Sequence, residues 1–190
     1  DSVISIGSGA FNNCEALESV TIGEGVTSIG TAAFLGCINL AEFKGKFASA
    51  DGRSLIINNT IAYYANASGT EFTIPDGVTM IGDQAFAICL NLTSVTIPES
   101  VIEIIPSAFF ICPNLKEFKG KFAADGGRCL VMDDTIITYA EASGNSYRIP
   151  DNITAIGDYA FYIDGSLTSK KKKKNVTDIH SSAFSQTSLS

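Results

Sequence analysis

A single apolar template recurs along this chain of 190 residues, and it constrains the fold more than any other feature. The first copy consists of nine positions: Val3, Ile6, Gly7, Ala10, Phe11, Cys14, Leu17, Val20 and Ile22. Close copies start at Val26, Val78 and Val101, and weaker copies start at Ile153 and Val176. A short fixed period of this size is typical of a solenoid, in which each turn buries its apolar face against its neighbours.

The template also repeats at a longer period of about 75 residues, which separates Val3 from Val78 and Val26 from Val101. Each long unit holds two turns of about 23 residues and an extra segment of about 29 residues. The pattern predicts a single repeat domain over residues 1–190, with turns that start near residues 3, 26, 78, 101, 153 and 176. The extra segments lie at about 44–71 and 119–146.

The spacing within one turn predicts its local structure. Val20 and Ile22 point the same way at period two, which is typical of a short strand, and Pro98 ends the equivalent strand of a later turn. Apolar residues three and four apart, as from Val26 to Ile29, favour a short helical or 3-10 turn on the other side. We therefore expect a mostly-β solenoid with one short parallel strand per turn.

The two extra segments predict inserted β-hairpins. Runs of β-branched and aromatic residues flank Asn58-Asn59 in one segment and Asp133-Asp134 in the other. Asn and Asp tolerate the positive φ angles of a tight turn. We expect both hairpins to lie on the flank of the stack.

The spacing Leu-x-x-Val-x-Ile-Pro-x-x-Val-x-x-Ile-Gly-x-x-Ala-Phe-x-x-Cys resembles the BspA-like, or treponemal-type, leucine-rich repeat. The resemblance covers nearly the whole chain, and four turns match it closely. It implies a leucine-rich-repeat solenoid from a bacterial protein that is exposed on the cell surface or secreted. Several proteins of this family bind host matrix proteins or other microbes, and the resemblance supplies no catalytic residue.

The residues themselves favour neither catalysis nor a cofactor. Cys14, Cys37, Cys89 and Cys112 share one template position, and a disulfide or a metal between stacked thiols is the functional alternative. Because no Cys-x-x-Cys pair accompanies them, we expect buried, reduced thiols and no metal site. His180 is the only histidine, and we expect it on the surface rather than in a catalytic site.

Charge and hydropathy exclude two classes of partner. The net charge of −7 argues against a nucleic-acid ligand, which requires a basic face. No stretch approaches the ~20 apolar residues of a membrane helix, so we expect no membrane insertion by this part of the chain. The first residues already match the middle of a repeat, and we expect both chain ends to be ragged.

The outward face of the strand ladder is the predicted binding surface. One position after the Val20 slot, the successive turns carry Thr21, Lys44, Thr73, Thr96, Lys119 and Arg148. We call this row the outward strip. In one interpretation it contacts a ligand. In the other it has no binding role, and Thr is frequent there because it suits exposed strand positions. Three hairpin tyrosines are a second candidate, since exposed aromatic residues are frequent contact points: Tyr63, Tyr64 and Tyr139.

These observations predict a non-catalytic binding module that adheres to a protein or glycan ligand. The alternative is a structural spacer, whose repeats only hold another domain away from the cell. Multivalent contacts along the repeats favour the first, because linked sites multiply avidity.

A run of lysines, Lys170 to Lys174, interrupts the template where Val-Thr-Ile-Pro-Glu is expected. Lys170 and Lys172 occupy two inward positions, and burying an unpaired ammonium costs several kcal/mol. We expect the stack to lose its strand here, or the lysines to lie outside with the last turn poorly docked. A third alternative is an artefact that replaces the ordinary strand, which mass spectrometry of the peptide around Ser169 would reveal.

Overall fold

The computed structural model describes residues 2–144, 146–162, 169–170 and 175–187. These residues form a solenoid of stacked turns, as the repeat predicted, and its regular secondary structure is almost entirely short β-strands. In chain order the strands are β1 (Ser5–Ile6), β2 (Ser19–Ile22), β3 (Ser28–Ile29), β4 (Glu42–Gly45), β5 (Ser54–Ile57), β6 (Thr60–Tyr64), β7 (Glu71–Thr73), β8 (Met80–Ile81), β9 (Ser94–Ile97), β10 (Glu103–Ile104), β11 (Glu117–Gly120), β12 (Ala123–Ala124), β13 (Cys129–Met132), β14 (Thr135–Tyr139), β15 (Ser146–Tyr147), β16 (Ala155–Ile156), β17 (Ser169–Lys170) and β18 (Asp178–Ile179). Two short 3-10 helices, Pro106–Phe109 and Glu141–Ser143, complete the described structure.

The predicted strand of each turn builds the first parallel ladder. Strand β2 pairs with β4, β9 pairs with both β7 and β11, and β15 pairs with β17. Val95 aligns with Phe72 on one side and with Phe118 on the other, and all three side chains are buried. Alternation along each strand thus sends one set of residues into the core and leaves the other set outside.

A second parallel ladder lies on the side where helical turns were expected. The pairs β1–β3, β8–β10 and β16–β18 consist of two-residue strands, and among the described residues a 3-10 helix follows such a strand only in the fourth turn, at Pro106–Phe109. The expectation of one strand per turn is therefore wrong in this detail. Backbone groups here bond to the neighbouring turn rather than along their own, as when Gly30 N donates to Ile6 O at 2.8 Å.

Both predicted hairpins are present, with β5 antiparallel to β6 and β13 antiparallel to β14. Asn58 and Asn59 have φ angles of 50° and 60°, and Asp133 and Asp134 have angles of 46° and 58°, as tight turns require. The hairpins do not merely lie on the flank of the stack. Their second strands continue the second ladder, because β6 pairs in parallel with β8 and β14 pairs in parallel with β16.

Aromatic rings stack through the core from turn to turn. Phe86 and Phe109, which share a template position, lie with ring centroids 4.9 Å apart and planes at 9°. Phe161 and Phe184 repeat the arrangement at 5.0 Å. Each turn therefore completes the apolar environment of its neighbour.

The thiol prediction is confirmed at three of its four positions. Cys37, Cys89 and Cys112 are buried and free, and so is Cys129 of the second hairpin. Cys14 is free but exposed, so the prediction that it is buried is wrong. In the described residues, the turn that holds Cys14 packs against the turn of Phe34 and Cys37.

The lysine run begins inside a strand. Ser169 and Lys170 pair in parallel with Ser146 and Tyr147, so the expectation that the stack loses its strand is wrong at these two residues. Lys171 to Lys174 lie outside the described residues. The last turn is docked, since Ile179 aligns with Ile156, and Val176 and Ala183 are buried. The expected loose docking of that turn is therefore also wrong.

Candidate binding surface

The first ladder brings most of the outward strip together. Thr21 aligns with Lys44, and Thr96 aligns with both Thr73 and Lys119. Thr96 is half-buried, and the other members of the strip, Arg148 included, are exposed. The β5–β6 hairpin separates the first pair from the next three members, and the β13–β14 hairpin separates those three from Arg148, so the strip has three blocks rather than one continuous row.

Glutamates accompany the lysines of the strip. Lys44 lies 2.8 Å from Glu42 in an ion pair between half-exposed side chains. Lys119 and Glu117 form the same pair at 2.8 Å, and the hydrogen bond to Glu117 raises the pKa of Lys119. Glu71 aligns with Ser94, as Glu117 does, and its charge also raises the pKa of Lys119.

The row of Glu42, Glu71 and Glu117 was not predicted, although the sequence contains a pattern that indicates it. Each glutamate stands two positions before a strip residue, and residues two apart on a strand share a face. The outward face therefore carries a row of acids beside a row of Thr and basic residues. Such paired charges fit a protein surface of mixed charge better than a polyanion, because the cations are already partly neutralised.

The hairpin tyrosines are not a contact surface. Tyr63, Tyr64 and Tyr139 are 9%, 4% and 3% exposed, so the expectation that they are exposed is wrong. Tyr63 donates to Gly30 O at 2.5 Å and accepts from Ala33 N at 3.1 Å. Because the second hairpin strand lies within the stack, its aromatic side chains fill the core between turns.

Two arginines that sequence reasoning missed fix the hairpins to the stack. Arg53 Nη2 donates to Tyr64 Oη at 3.0 Å, and Arg128 Nη2 donates to Tyr139 Oη at 2.9 Å. Their only sequence signal is the same long period that relates the turns. Both are half-buried, which suits a structural role rather than ligand contact.

The described residues give no catalytic constellation. His180 is exposed, as predicted. Within the described part of the chain no three His, Cys, Asp or Glu residues cluster in a way that could hold a metal ion. Among the same residues, no helix combines the length and the apolar character that crossing a membrane requires.

Comparison with known families gives a match over most of the chain. The family model described as "BspA type Leucine rich repeat region" matches the sequence in six copies, over residues 56–121 and 137–190. No curated protein matches the sequence.

Solved structures of bacterial proteins share the fold. A leucine rich cell surface protein from Faecalibacterium prausnitzii is 29% identical with a TM-score of 0.70, and the match covers 100% of this chain and 52% of that one. A leucine-rich repeat protein from Eubacterium ventriosum is 22% identical with a TM-score of 0.59, over 97% of this chain and 50% of that one. The pneumococcal vaccine antigen PcpA is 20% identical with a TM-score of 0.55, over 98% of this chain and 41% of that one. The chain thus spans about half the length of the structures it matches.

Proposed function

Because the chain belongs to the BspA-type leucine-rich-repeat family, we propose that it is a non-catalytic binding module of a bacterial cell-surface or secreted protein. It adheres to a protein ligand through the outward strip and the glutamates beside it. The similarity to a cell surface protein from Faecalibacterium prausnitzii supports the location.

The observation that carries the proposal is the exposure of two matched ion pairs on one face. Lys44 with Glu42 and Lys119 with Glu117 stand at equivalent positions of successive long units. Each lysine and glutamate side chain keeps between 44% and 53% of its surface exposed. Exposed ion pairs contribute ~0–1 kcal/mol to stability, so folding alone gives little reason for both copies.

A capture experiment tests the proposal. The immobilised 190-residue chain is incubated with purified extracellular-matrix and serum proteins, and the bound proteins are quantified. We expect at least one protein to bind, and the double variant Lys44→Glu, Lys119→Glu to lose that binding by about tenfold or more. Lys116→Glu is the matched control, because Lys116 is an exposed lysine outside the strip.

The two candidate functions differ in this experiment. Capture that the double variant abolishes and the Lys116 control leaves intact supports the binding module. A chain that captures none of these proteins behaves as a spacer. Capture that survives the double variant contradicts the assignment of the outward strip.

A further inference from the structure

Three aromatic side chains meet on the surface of the solenoid, outside both strand ladders. Phe110 follows the 3-10 helix of the fourth turn, and Tyr159 and Tyr162 lie in the next repeat. The ring centroids of Phe110 and Tyr162 are 4.7 Å apart. Tyr159 meets them edge-on, at 5.3 Å from Phe110 and 5.5 Å from Tyr162. We call these three residues the aromatic cluster.

A small residue between the turns lets the rings meet. Tyr139 N donates to Ala160 O, just as Phe86 N donates to Ala108 O, so the hairpin strand occupies one layer of the stack. Ala140 therefore stands between Phe110 and Tyr162 and is completely buried. Because neighbouring strands lie ~4.8 Å apart, the two rings must lean over Ala140 to come within contact.

The fold does not require aromatic residues at these positions. In earlier turns the Phe110 and Tyr162 position holds Asn12, Leu35 and Ala87, and the Tyr159 position holds Gly9, Ala32, Gln84 and Ser107. The core beneath the cluster is already closed by Phe109 and Phe161, which are 4% and 2% exposed.

Tyr159 takes a backbone conformation that the repeat itself imposes. Its φ angle of 57° recurs at the same template position, where Ala32, Gln84 and Ser182 have φ angles of 55°, 55° and 52°. The ring of Tyr159 is 37% exposed, so this turn carries an aromatic side chain on the surface where those turns carry smaller or polar residues.

The charged residues in the described segments that form the cluster are acidic. In 105–112, 137–144 and 156–162 they are Glu141 and Asp158. Glu141 Oε1 accepts a hydrogen bond from Cys112 N, two residues after Phe110, and Asp158 Oδ1 accepts one from Ser181 N. A guanidinium suits aromatic rings in segments that also carry carboxylates, because the ring face and the carboxylate both favour a cation.

The same chain shows how its aromatic rings hold arginine. The guanidinium of Arg53 lies 4.9 Å from the Phe72 centroid, and that of Arg128 lies 5.2 Å from the Tyr147 centroid. We infer that the aromatic cluster is a second binding surface, which takes the arginine side chains of a basic protein segment. It is independent of the outward strip, so either surface can fail its test without the other.

A peptide-binding measurement tests the inference. The probe is a fluorescent deca-arginine peptide, titrated with the whole chain at physiological salt and followed by fluorescence anisotropy. We expect Tyr159→Asn to weaken binding about fivefold, the worth of one cation–π contact. The melting temperature should not fall, because Asn suits a positive φ better than Tyr does. Gln84→Asn is the matched control, at the same template position in a turn without the cluster.

Three outcomes would overturn the inference. The first is an unchanged affinity of the Tyr159→Asn variant for deca-arginine. The second is equal affinity for deca-lysine, which would reduce the interaction to net charge, since lysine lacks the planar group that stacks on a ring. The third is binding of a neutral oligosaccharide, cellohexaose, that Tyr159→Asn abolishes, which would make the cluster a glycan surface instead.

Discussion

The guanidinium of Arg53 lies over the ring of Phe72, 4.9 Å from its centroid, and joins the first hairpin to the strand that follows it. Its Nη2 also donates to Glu71 O at 2.6 Å, and its Nε donates to Ser68 Oγ at 3.2 Å. Strand β4 does not pair with β7, because the extra segment lies between them. Arg53 therefore replaces, with its side chain, contacts that a regular turn makes with its backbone.

We expect Arg53→Ala to lower the free energy of unfolding by about 2–3 kcal/mol, since it removes charge-assisted hydrogen bonds and a cation–π contact together. Urea denaturation followed by circular dichroism measures the change. Lys44→Ala is the control, because its exposed ion pair with Glu42 contributes at most about 1 kcal/mol. Equal losses in both variants would show that Arg53 contributes no more than a surface charge.

The sequence predicts the inward half of this fold well. Residues such as Val95 and Phe118 keep one period, and burial follows it in the inner turns, whereas Val3, Phe11 and Ile179 in the first and last described turns are exposed. The turn at Asn58-Asn59 is equally clear, because the residue type itself favours the conformation. The second ladder was missed, since a two-residue strand such as Ser28–Ile29 is too short to show alternation.

The surface is harder to predict, because the side chains there are placed by neighbours distant in sequence. The alternation of residues along β6 would fit Tyr64 equally well on the exposed or on the buried face. Only the insertion of β6 into the stack, where it pairs with β8, decides that Tyr64 is buried. Phe110 and Tyr159 are far apart in the chain and meet only through the stacking of their turns. No short-range sequence pattern predicts either the burial of Tyr64 or the contact between Phe110 and Tyr159.

Gly120 has a φ angle of 80°, and a Cβ atom there would overlap the carbonyl oxygen of Ile97 in the adjacent strand. We expect Gly120→Ala to lower the free energy of unfolding by about 3 kcal/mol, from backbone strain and the displaced strand. Gly126 has a similar φ of 67° with open space around it. Gly126→Ala therefore isolates the strain, at about 1 kcal/mol. Equal effects at the two glycines in urea denaturation would refute the steric argument.

Thiol reactivity should separate Cys14 from the other cysteines. Cys14 is exposed, whereas Cys37, Cys89, Cys112 and Cys129 are buried. Burial also raises the pKa of the Cys37, Cys89 and Cys129 thiols, which lowers the thiolate fraction that reacts. We expect one fast-reacting thiol per folded chain with a disulfide reagent at pH 8, and none in Cys14→Ser. Two fast thiols would contradict the burial of the other four.

The buried thiols also predict a loss of stability in alkali. Burial raises the pKa of Cys89 and Cys129 in the folded state, so above pH ~8.5 the unfolded chain releases protons that the folded chain keeps. The free energy of unfolding then falls as the pH rises, by up to about 1.4 kcal/mol per pH unit for each such thiol. Urea denaturation at pH 7 and pH 9.5 measures the fall. Cys89→Ala should make the pH dependence shallower, and an unchanged slope would count against this origin.

The lysine that enters the first ladder gives the last prediction. Lys170 aligns with Tyr147, in the column that Val95 and Phe118 occupy elsewhere. Tyr147, Val95 and Phe118 are 3%, 0% and 1% exposed, so the column is apolar and closed in these described strands. Burying an apolar side chain there is worth about 1.5–3 kcal/mol, whereas an ammonium gains nothing from the same position.

We therefore expect Lys170→Val to raise the free energy of unfolding by about 1–3 kcal/mol. Lys119→Val is the control, because Lys119 lies in the same ladder on the outward face, where valine gains no burial. Hydrogen exchange supplies a second measurement, since the amides of the last turn, from Asn175 onward, should become better protected in Lys170→Val alone. If Lys170→Val destabilises the chain or leaves that protection unchanged, the column does not extend to this strand.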